Sequence, residues 1–385
     1  MAPPRVLIVL DTSAAWSRGI LRGFARVAHE RGWIVLHYPP GVDLRWLASQ
    51  WPLSAAILGP SVTGPWPFAG HDIVSVSVNS DRTPEGVASV CLDEAWIAHL
   101  ALSHLRARGF RKVTTFRFNS APFAVLRENY FLEAAARAGL SIESGWWSSA
   151  PSASPTEEQP DAICQWMSRL GKPCGIFSCC DVWGHMLARY ARVASLRVPE
   201  DIALIGVDND AVECEIVAPP LSSVAVPWRE MGEAAAGLVI AGLQGKAMHR
   251  RRVVVRPVDV VSRRSTDTFA IQDPIVAAAV SWIRQHAERR LTVPMISNAV
   301  GVPRQRLERQ FRRALGRTIM QEVRIAHVEL ARQLLATSDE TLLEIAKRSG
   351  FTNAALLSVA FRRELGVPPG VYRKSARSLL ADIVD

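Results

Sequence analysis

The hydrophobic period of this 385-residue chain changes once, near residue 270, and that change constrains the fold most. Before it, short apolar runs alternate with amphipathic stretches. From Asp273 onward the apolar repeats have helical spacing. The strand candidates are Arg5–Leu10, Trp33–Tyr38, Ala55–Leu58, Ile73–Val78, Lys112–Phe116, Gly175–Ser178 and Ile202–Val207. The helix candidates between them are Ser17–Arg31, Glu94–Arg108, Phe123–Ala138, Asp161–Leu170, Val182–Ser195 and Glu230–Leu243. Such alternation predicts parallel sheets with helices on both faces, where ligands bind beyond the carboxyl ends of the strands. Ser148–Pro160, rich in Ser and Pro, reads as a surface loop. The expected domains are 1–266 and 275–385, joined by a linker over 267–274.

Within the helical region a single spacing occurs twice, at about 292–312 and 342–363. In the first unit Thr292–Ala299 reads as a helix, Gly301 and Val302 as the turn, and Pro303 as belonging to the next helix's first turn. Leu307 and Phe311 then face inward. In the second unit Ile345 and Ala346 precede a turn at Ser349, Gly350 and Phe351, Asn353 caps a helix, and Leu357 and Phe361 face inward. Between the units Ile319–Thr337 reads as one long amphipathic helix. Each unit presents a short helix of the kind that lies in a DNA major groove. Charge agrees. Residues 271–385 hold 18 basic and 11 acidic side chains, a net of +7, whereas 1–270 carries 27 and 25, a net of +2. A basic module beside a near-neutral body points to a polyanion partner for that module.

The text Arg306-Leu-Glu-Arg-Gln-Phe311, Arg324-Ile-Ala326, Ala331-Arg-Gln-Leu-Leu335, Ile345-Ala346, Gly350-Phe351, Phe361-Arg-Arg363 and Pro368-Pro-Gly-Val-Tyr-Arg373 resembles the AraC family over about 275–376. The resemblance implies a seven-helix module in which one helix joins two DNA-reading subunits. Base reading in the first unit would fall on Gln305, Glu308 and Arg309, since Arg suits guanine, Gln suits adenine and Glu accepts from cytosine. Arg304, Arg306, Arg312, Arg313, Lys347, Arg362, Arg363 and Arg373 are the phosphate candidates. The second unit departs from the family: behind Asn353 its outer face shows Ala354, Ala355, Ser358 and Val359. That leaves two roles open for it, contact with thymine methyls or mainly with the backbone.

Three stretches of the alternating region, Val198–Asn209, Leu221–Val224 leading to Glu230-Met-Gly232, and Pro257–Arg263 with Ser265 and Thr266, resemble the regulatory domain of LacI/GalR regulators. The implied fold is the two-lobed α/β fold of periplasmic sugar-binding proteins. By position, ligand binding would fall on Asp208, Arg127, Asp93, Cys180 and Asp181, with Trp16, Arg18 and Asp11 completing the wall. Sugar recognition needs such carboxylates and guanidinium groups around hydroxyls, with an aromatic ring against the apolar face. Cys180 stands where such sensors often carry Asn, and Asp11 where an uncharged amide is usual. The expected function is therefore a sugar-responsive, DNA-binding transcriptional regulator. Its expected partners are double-stranded DNA, a monosaccharide effector with the pentose xylose as first candidate, a second copy of the chain, and RNA polymerase if it activates. No cofactor is expected. The rival is a sugar-processing enzyme using Asp93, Asp181 and Asp208 as acid–base carboxylates or Cys180 as nucleophile. Against it, the chain lacks a G-x-S-x-G elbow and a phosphate loop.

The six cysteines, at 91, 164, 174, 179, 180 and 214, form no C-x-x-C pair and no zinc-like cluster with His. They read as reduced thiols. With no signal-peptide pattern and no apolar run of membrane length, a cytoplasmic location is expected.

Overall fold

The computed structural model describes residues 2–374 except 61, 63–66, 69–71, 79–86, 119–120, 148–159, 250, 258, 269 and 272. The loop expected at Ser148–Pro160 thus lies outside the described residues, apart from Pro160, which opens a helix.

In chain order the elements begin with β1 (Arg5–Val9), α1 (Ala15–Glu30), β2 (Ile34–Tyr38), α2 (Leu44–Gln50), β3 (Ala55–Leu58), β4 (Val74–Val78), β5 (Ala88–Leu92) and α3 (Glu94–Ala107). There follow β6 (Lys112–Arg117), α4 (Pro122–Arg137), β7 (Ser141–Ile142), β8 (Trp146–Trp147), α5 (Pro160–Arg169), β9 (Cys174–Ser178) and α6 (Asp181–Val193). Then come β10 (Ile202–Asp208), α7 (Ala211–Ile216), β11 (Ser222–Ala225), α8 (Trp228–Leu243), β12 (Arg252–Val255) and β13 (Asp259–Val261). The helical region is α9 (Pro274–Gln285), α10 (Val293–Ala299), α11 (Arg304–Leu315), α12 (Ile319–Thr337), α13 (Leu342–Arg348) and α14 (Ala354–Leu365). Residues 369–374 are helical as well, so this region reaches the seven helices that the AraC resemblance implies.

The chain divides into two compact units, Met1–Trp96 with Val226–Pro257, and Ile97–Ala225 with Val258–Asp385. The first unit holds a six-stranded sheet in the order β12-β5-β4-β3-β1-β2, and all of its pairings are parallel. Its helices α1 and α8 meet backbone to backbone. A Cβ on Gly23 would stand 2.0 Å from the Arg229 carbonyl oxygen, and one on Gly232 would stand 2.0 Å from that of Ile20. Glycine is required at both positions because no side chain fits.

The second unit holds a seven-stranded sheet in the order β13-β11-β10-β9-β6-β7, with β8 also paired to β6. Among the described residues only the β11–β13 pairing is antiparallel. The strands β9 and β10 are buried almost throughout, as a parallel sheet covered on both faces demands.

The same unit contains the helical region, which is built around two cores. The first gathers Val276, Val280, Ile283, Ile296, Leu307, Phe311, Ile319 and Val323. The other gathers Ala331, Leu335, Ile345, Leu357, Phe361 and Tyr372. Helix α12 supplies both, with its first half packed in one and its second half in the other. Its start is fixed by a capping box between Thr318 and Gln321, and α13 starts on a second box between Thr341 and Glu344. These boxes satisfy backbone donors that would otherwise be orphaned at the helix ends.

Each of the seven expected strands is found with ends shifted by no more than one residue. The six helices expected among them are found within two. Pro303 is a correction: it stands just outside α11 as the N-cap, and Arg304 opens the helix. Thr292 likewise caps α10 rather than beginning it. The strands β5, β7, β8, β11, β12 and β13 and the short helices α2 and α7 were not anticipated.

Candidate functional site

On the second unit the expected ligand residues gather at the carboxyl ends of β9 and β10. Asp208 is the last residue of β10 and has φ +115°, with Asn209 after it at φ +55°. Non-glycine residues in this region carry strain, and such strain concentrates at functional sites. Arg127, on α4, is 2% exposed and lies 3.6 Å from the Asp208 carboxylate. Its guanidinium donates to the Cys179 carbonyl at 2.7 Å and lies over the Phe123 ring, 5.0 Å from the centroid. Packing against Phe123 and the β9 end therefore presets this cation beside a carboxylate.

Cys180 occupies the N-cap of α6 without a side-chain bond to the helix. Burial, with Asp208 and Asp181 nearby, pushes its thiol well above the ordinary range and keeps it protonated. Asp181 opens α6 but turns away from a cap role. It is 1% exposed, and its Oδ2 accepts the Asp210 amide at 2.8 Å. Its Oδ1 lies where a Cβ on Gly206 would come within 2.1 Å. So Asp181 anchors the turn between β10 and α7. Burial raises its carboxyl to about 7, against hydrogen bonds from Ser223 and the Asp210 amide that pull it down.

The sign of that shift has a measurable consequence. A carboxyl whose folded pKa is raised contributes stability that is complete below its unfolded value, about 3.9, and is lost as pH rises through the folded value. Asp181→Asn is neutral at every pH and should lack this decline. Thermal melts from about pH 4 to 8 should show the variant gaining on the parent as pH rises. Parallel curves would mean that Asp181 is ionised throughout.

On the first unit Asp93 precedes α3, accepts the Trp96 amide at 3.0 Å and pairs with Arg256 at 2.7 Å. Trp16, on α1, packs against Trp228 with centroids 5.9 Å apart. Arg18 folds back onto the carbonyls of Thr12 and Ser13. Asp11 is exposed and accepts the Ser13 amide, which holds its carboxyl below the usual range. The eight expected ligand residues thus fall four to each unit.

Sequence reasoning missed Phe123, Arg256, and the Arg263–Asn209 pair, in which Arg263 donates to the Asn209 side chain at 2.9 Å. None of these is near its partner in sequence except Phe123, four residues before Arg127. That aromatic–cation spacing on one helix face was the available signal.

The helical region presents two outward helix faces. On α11 Gln305, Arg306, Arg309, Arg312 and Arg313 are exposed, and Glu308 pairs with Arg304 at 2.9 Å. On α14 Asn353 is spent as the cap, accepting the Leu356 amide at 2.9 Å. Ala354 is half-buried, and Ser358 donates back to the Ala354 carbonyl. Ala355, Arg362 and Arg363 are exposed, as is Lys347 on α13. Arg373, a phosphate candidate from sequence, instead donates to the Glu340 carbonyl. Both α11 and α14 end on a left-handed glycine, Gly316 at φ +66° and Gly366 at φ +70°. Among the described residues no three His, Cys, Asp or Glu side chains converge as metal ligands, and no helix is long and apolar enough to cross a membrane.

Comparison with known proteins matches this layout. A model of the periplasmic binding protein-like domain covers residues 102–266, and a model of a helix-turn-helix domain covers 296–375. The xylose operon regulatory protein of Escherichia coli (strain K12) is 31% identical over 211 residues, which are 55% of this chain and 54% of the relative. The chain thus spans about half the length of that relative. The protein of the same name from Haemophilus influenzae is 25% identical over 295 residues, 74% of each chain. A solved structure of the xylose-binding transcription activator xylR shares the fold with a TM-score of 0.60, at 24% identity over 97% of this chain and 98% of that one. The chain is an AraC-type helix-turn-helix protein carrying a periplasmic binding protein-like domain, homologous to the xylose operon regulatory proteins.

Proposed function

We propose that this chain is a ligand-controlled transcription regulator that binds DNA through α11 and α14 and a monosaccharide through its periplasmic binding protein-like domain. The observation that carries the reading is two helix-turn-helix units built on one shared helix, α12, in a chain that also sets a buried arginine against a strand-end carboxylate. On this reading residues 1–266 are the sensor, 267–274 the linker and 275–385 the DNA-binding domain. Asp208 and Arg127 bind sugar hydroxyls, with Cys180 beside them; the ligand candidates on the first unit are Asp11, Trp16, Arg18 and Asp93, taken by themselves. Asp181 serves by holding the turn that carries Asp208. Two copies of the chain act together on paired half-sites, and activation through RNA polymerase is the expected output.

The enzyme reading loses support on chemistry. A thiol that burial keeps protonated is a poor nucleophile. Asp181 is committed to a backbone amide and Asp208 to an arginine. The relatives and structural neighbours are transcription regulators.

The test is a thermal-shift screen of the full chain against pentoses, hexoses and sugar acids. A ligand at about 100 times its dissociation constant adds about 2.7 kcal/mol of stability. A shift with D-xylose supports xylose as effector, a shift with another sugar replaces it, and no shift with any removes the sugar sensor from the proposal.

A further inference from the structure

The two recognition helices are built to the same frame, fifty residues apart. Both run twelve residues, Arg304–Leu315 and Ala354–Leu365. Leu307, Phe311 and Leu315 face inward on α11, and Leu357, Phe361 and Leu365 take the matching places on α14. Both helices stop on the left-handed glycines Gly316 and Gly366. Outward positions therefore correspond one to one. Gln305 matches Ala355, Arg306 matches Leu356, Glu308 matches Ser358 and Arg309 matches Val359. Arg312 and Arg313 match Arg362 and Arg363.

That frame separates what the second helix keeps from what it lacks. It keeps the two exposed arginines at its far end. It has no side-chain donor at the positions that Gln305 and Arg309 hold on α11. The Ser358 hydroxyl donates to its own helix at 2.8 Å. What projects instead is apolar: Val359 is 67% exposed, Leu356 is 52% exposed, and Ala355 stands beside them. Apolar side chains this exposed on a helix with cations at its end have one apolar counterpart among the base edges of the major groove, the C5-methyl group of thymine.

We propose that α14 reads thymine methyl groups, with Val359 and Ala355 as the contacting residues and Leu356 at the flank, while Arg362 and Arg363 hold phosphates. This rests on the DNA-binding reading above. It divides each half-site into a segment read by hydrogen bonds from α11 and a segment read by methyl contact from α14. Backbone anchoring alone would leave the α14 segment without base preference.

The test begins with selection of sites for the full chain from a random duplex pool. In the selected duplex, thymines facing α14 are then replaced one at a time by deoxyuridine, which lacks only the methyl. Each replacement should weaken binding about fourfold, the factor equivalent to about 0.8 kcal/mol for one buried methylene. In Val359→Ala, an exposed position where folding is not at stake, the penalty at one thymine should shrink or vanish. Thymine-to-uracil swaps outside the α14 segment should have no such dependence on Val359. Conversely, 5-methylcytosine should bind better than cytosine at the same positions.

Equal affinity for thymine and uracil overturns the proposal. So does a Val359→Ala variant that binds DNA normally but fails to activate transcription, since the apolar face then belongs to a protein partner. Failure to select any site, with no salt-dependent binding, sinks the DNA-binding reading itself and this inference with it. Selected sites that are indifferent to the methyl sink this inference alone.

Discussion

Glu322→Ala is expected to cost about 3–5 kcal/mol of folding stability, the range for removing one partner from a buried ion pair. Glu322 is fully buried on α12. Arg317 donates to it through Nε at 2.7 Å, and Arg284 reaches it at 3.5 Å. Both arginines also donate to backbone carbonyls at the end of α3: Arg317 to Arg106 and Ala107 at 2.8 and 3.1 Å, and Arg284 to Ala107 at 3.2 Å. A helix C-terminus favours cations, so these bonds suit the arginines. They do not neutralise them, and without Glu322 both guanidinium groups lose the buried carboxylate they share. Urea unfolding should show a lower midpoint. Glu322→Gln, which retains an acceptor oxygen, should lose less. A loss under about 1 kcal/mol for the alanine variant would mean that water already solvates the cluster, as at an exposed ion pair.

The same cluster shows where sequence reading stops. Helix α12 was legible to the residue at both ends, because Thr318 and Gln321 announce its start and its apolar positions keep one period across nineteen residues. The two recognition helices were legible from Gly301, Gly350 and the paired Leu and Phe positions. What escaped lacked either length or a local partner. Strand β5 is five residues of Ala, Ser, Val, Cys and Leu, all buried, with no alternation to mark a face. Helices α2 and α7 are seven and six residues long and are held mainly by the caps Asp43 and Asp210. At the site, Asp208 and Arg127 were legible as a carboxylate after a buried strand and a cation near the start of a helix. The use of Asp181 was not, because its partner, the Asp210 amide, is twenty-nine residues away and shows only when β10 lies beside α6. Arg317 and Arg284 escape for the same reason: the α3 carbonyls they donate to, at Arg106 and Ala107, lie 177 to 211 residues away in sequence.

Arg309→Ala and Asp208→Asn should separate the two activities. Arg309 is exposed on α11, so its loss leaves the core intact and removes the proposed base contact. The expected cost is about 1–3 kcal/mol of affinity for a selected duplex, with relaxed preference at the contacted base pair. Arg306→Ala, by contrast, should weaken all duplexes alike and flatten the salt dependence by about 0.9 in slope. Asp208 sits at φ +115°, where alanine is strained and asparagine is better tolerated. Asp208→Asn therefore changes charge with little change of backbone. Losing one charge-assisted bond to a hydroxyl should weaken ligand binding by about 1.5–3 kcal/mol. DNA affinity without ligand should stay at the parent value. Linkage then supplies a check that neither affinity gives alone. The factor by which ligand changes DNA affinity must equal the factor by which DNA changes ligand affinity. A substitution that removes a contact present in both states leaves that factor alone, so the ratio should survive in Arg309→Ala even as DNA binding weakens. If each variant, still folded, loses both activities, the two binding functions share one surface and the modular reading is wrong.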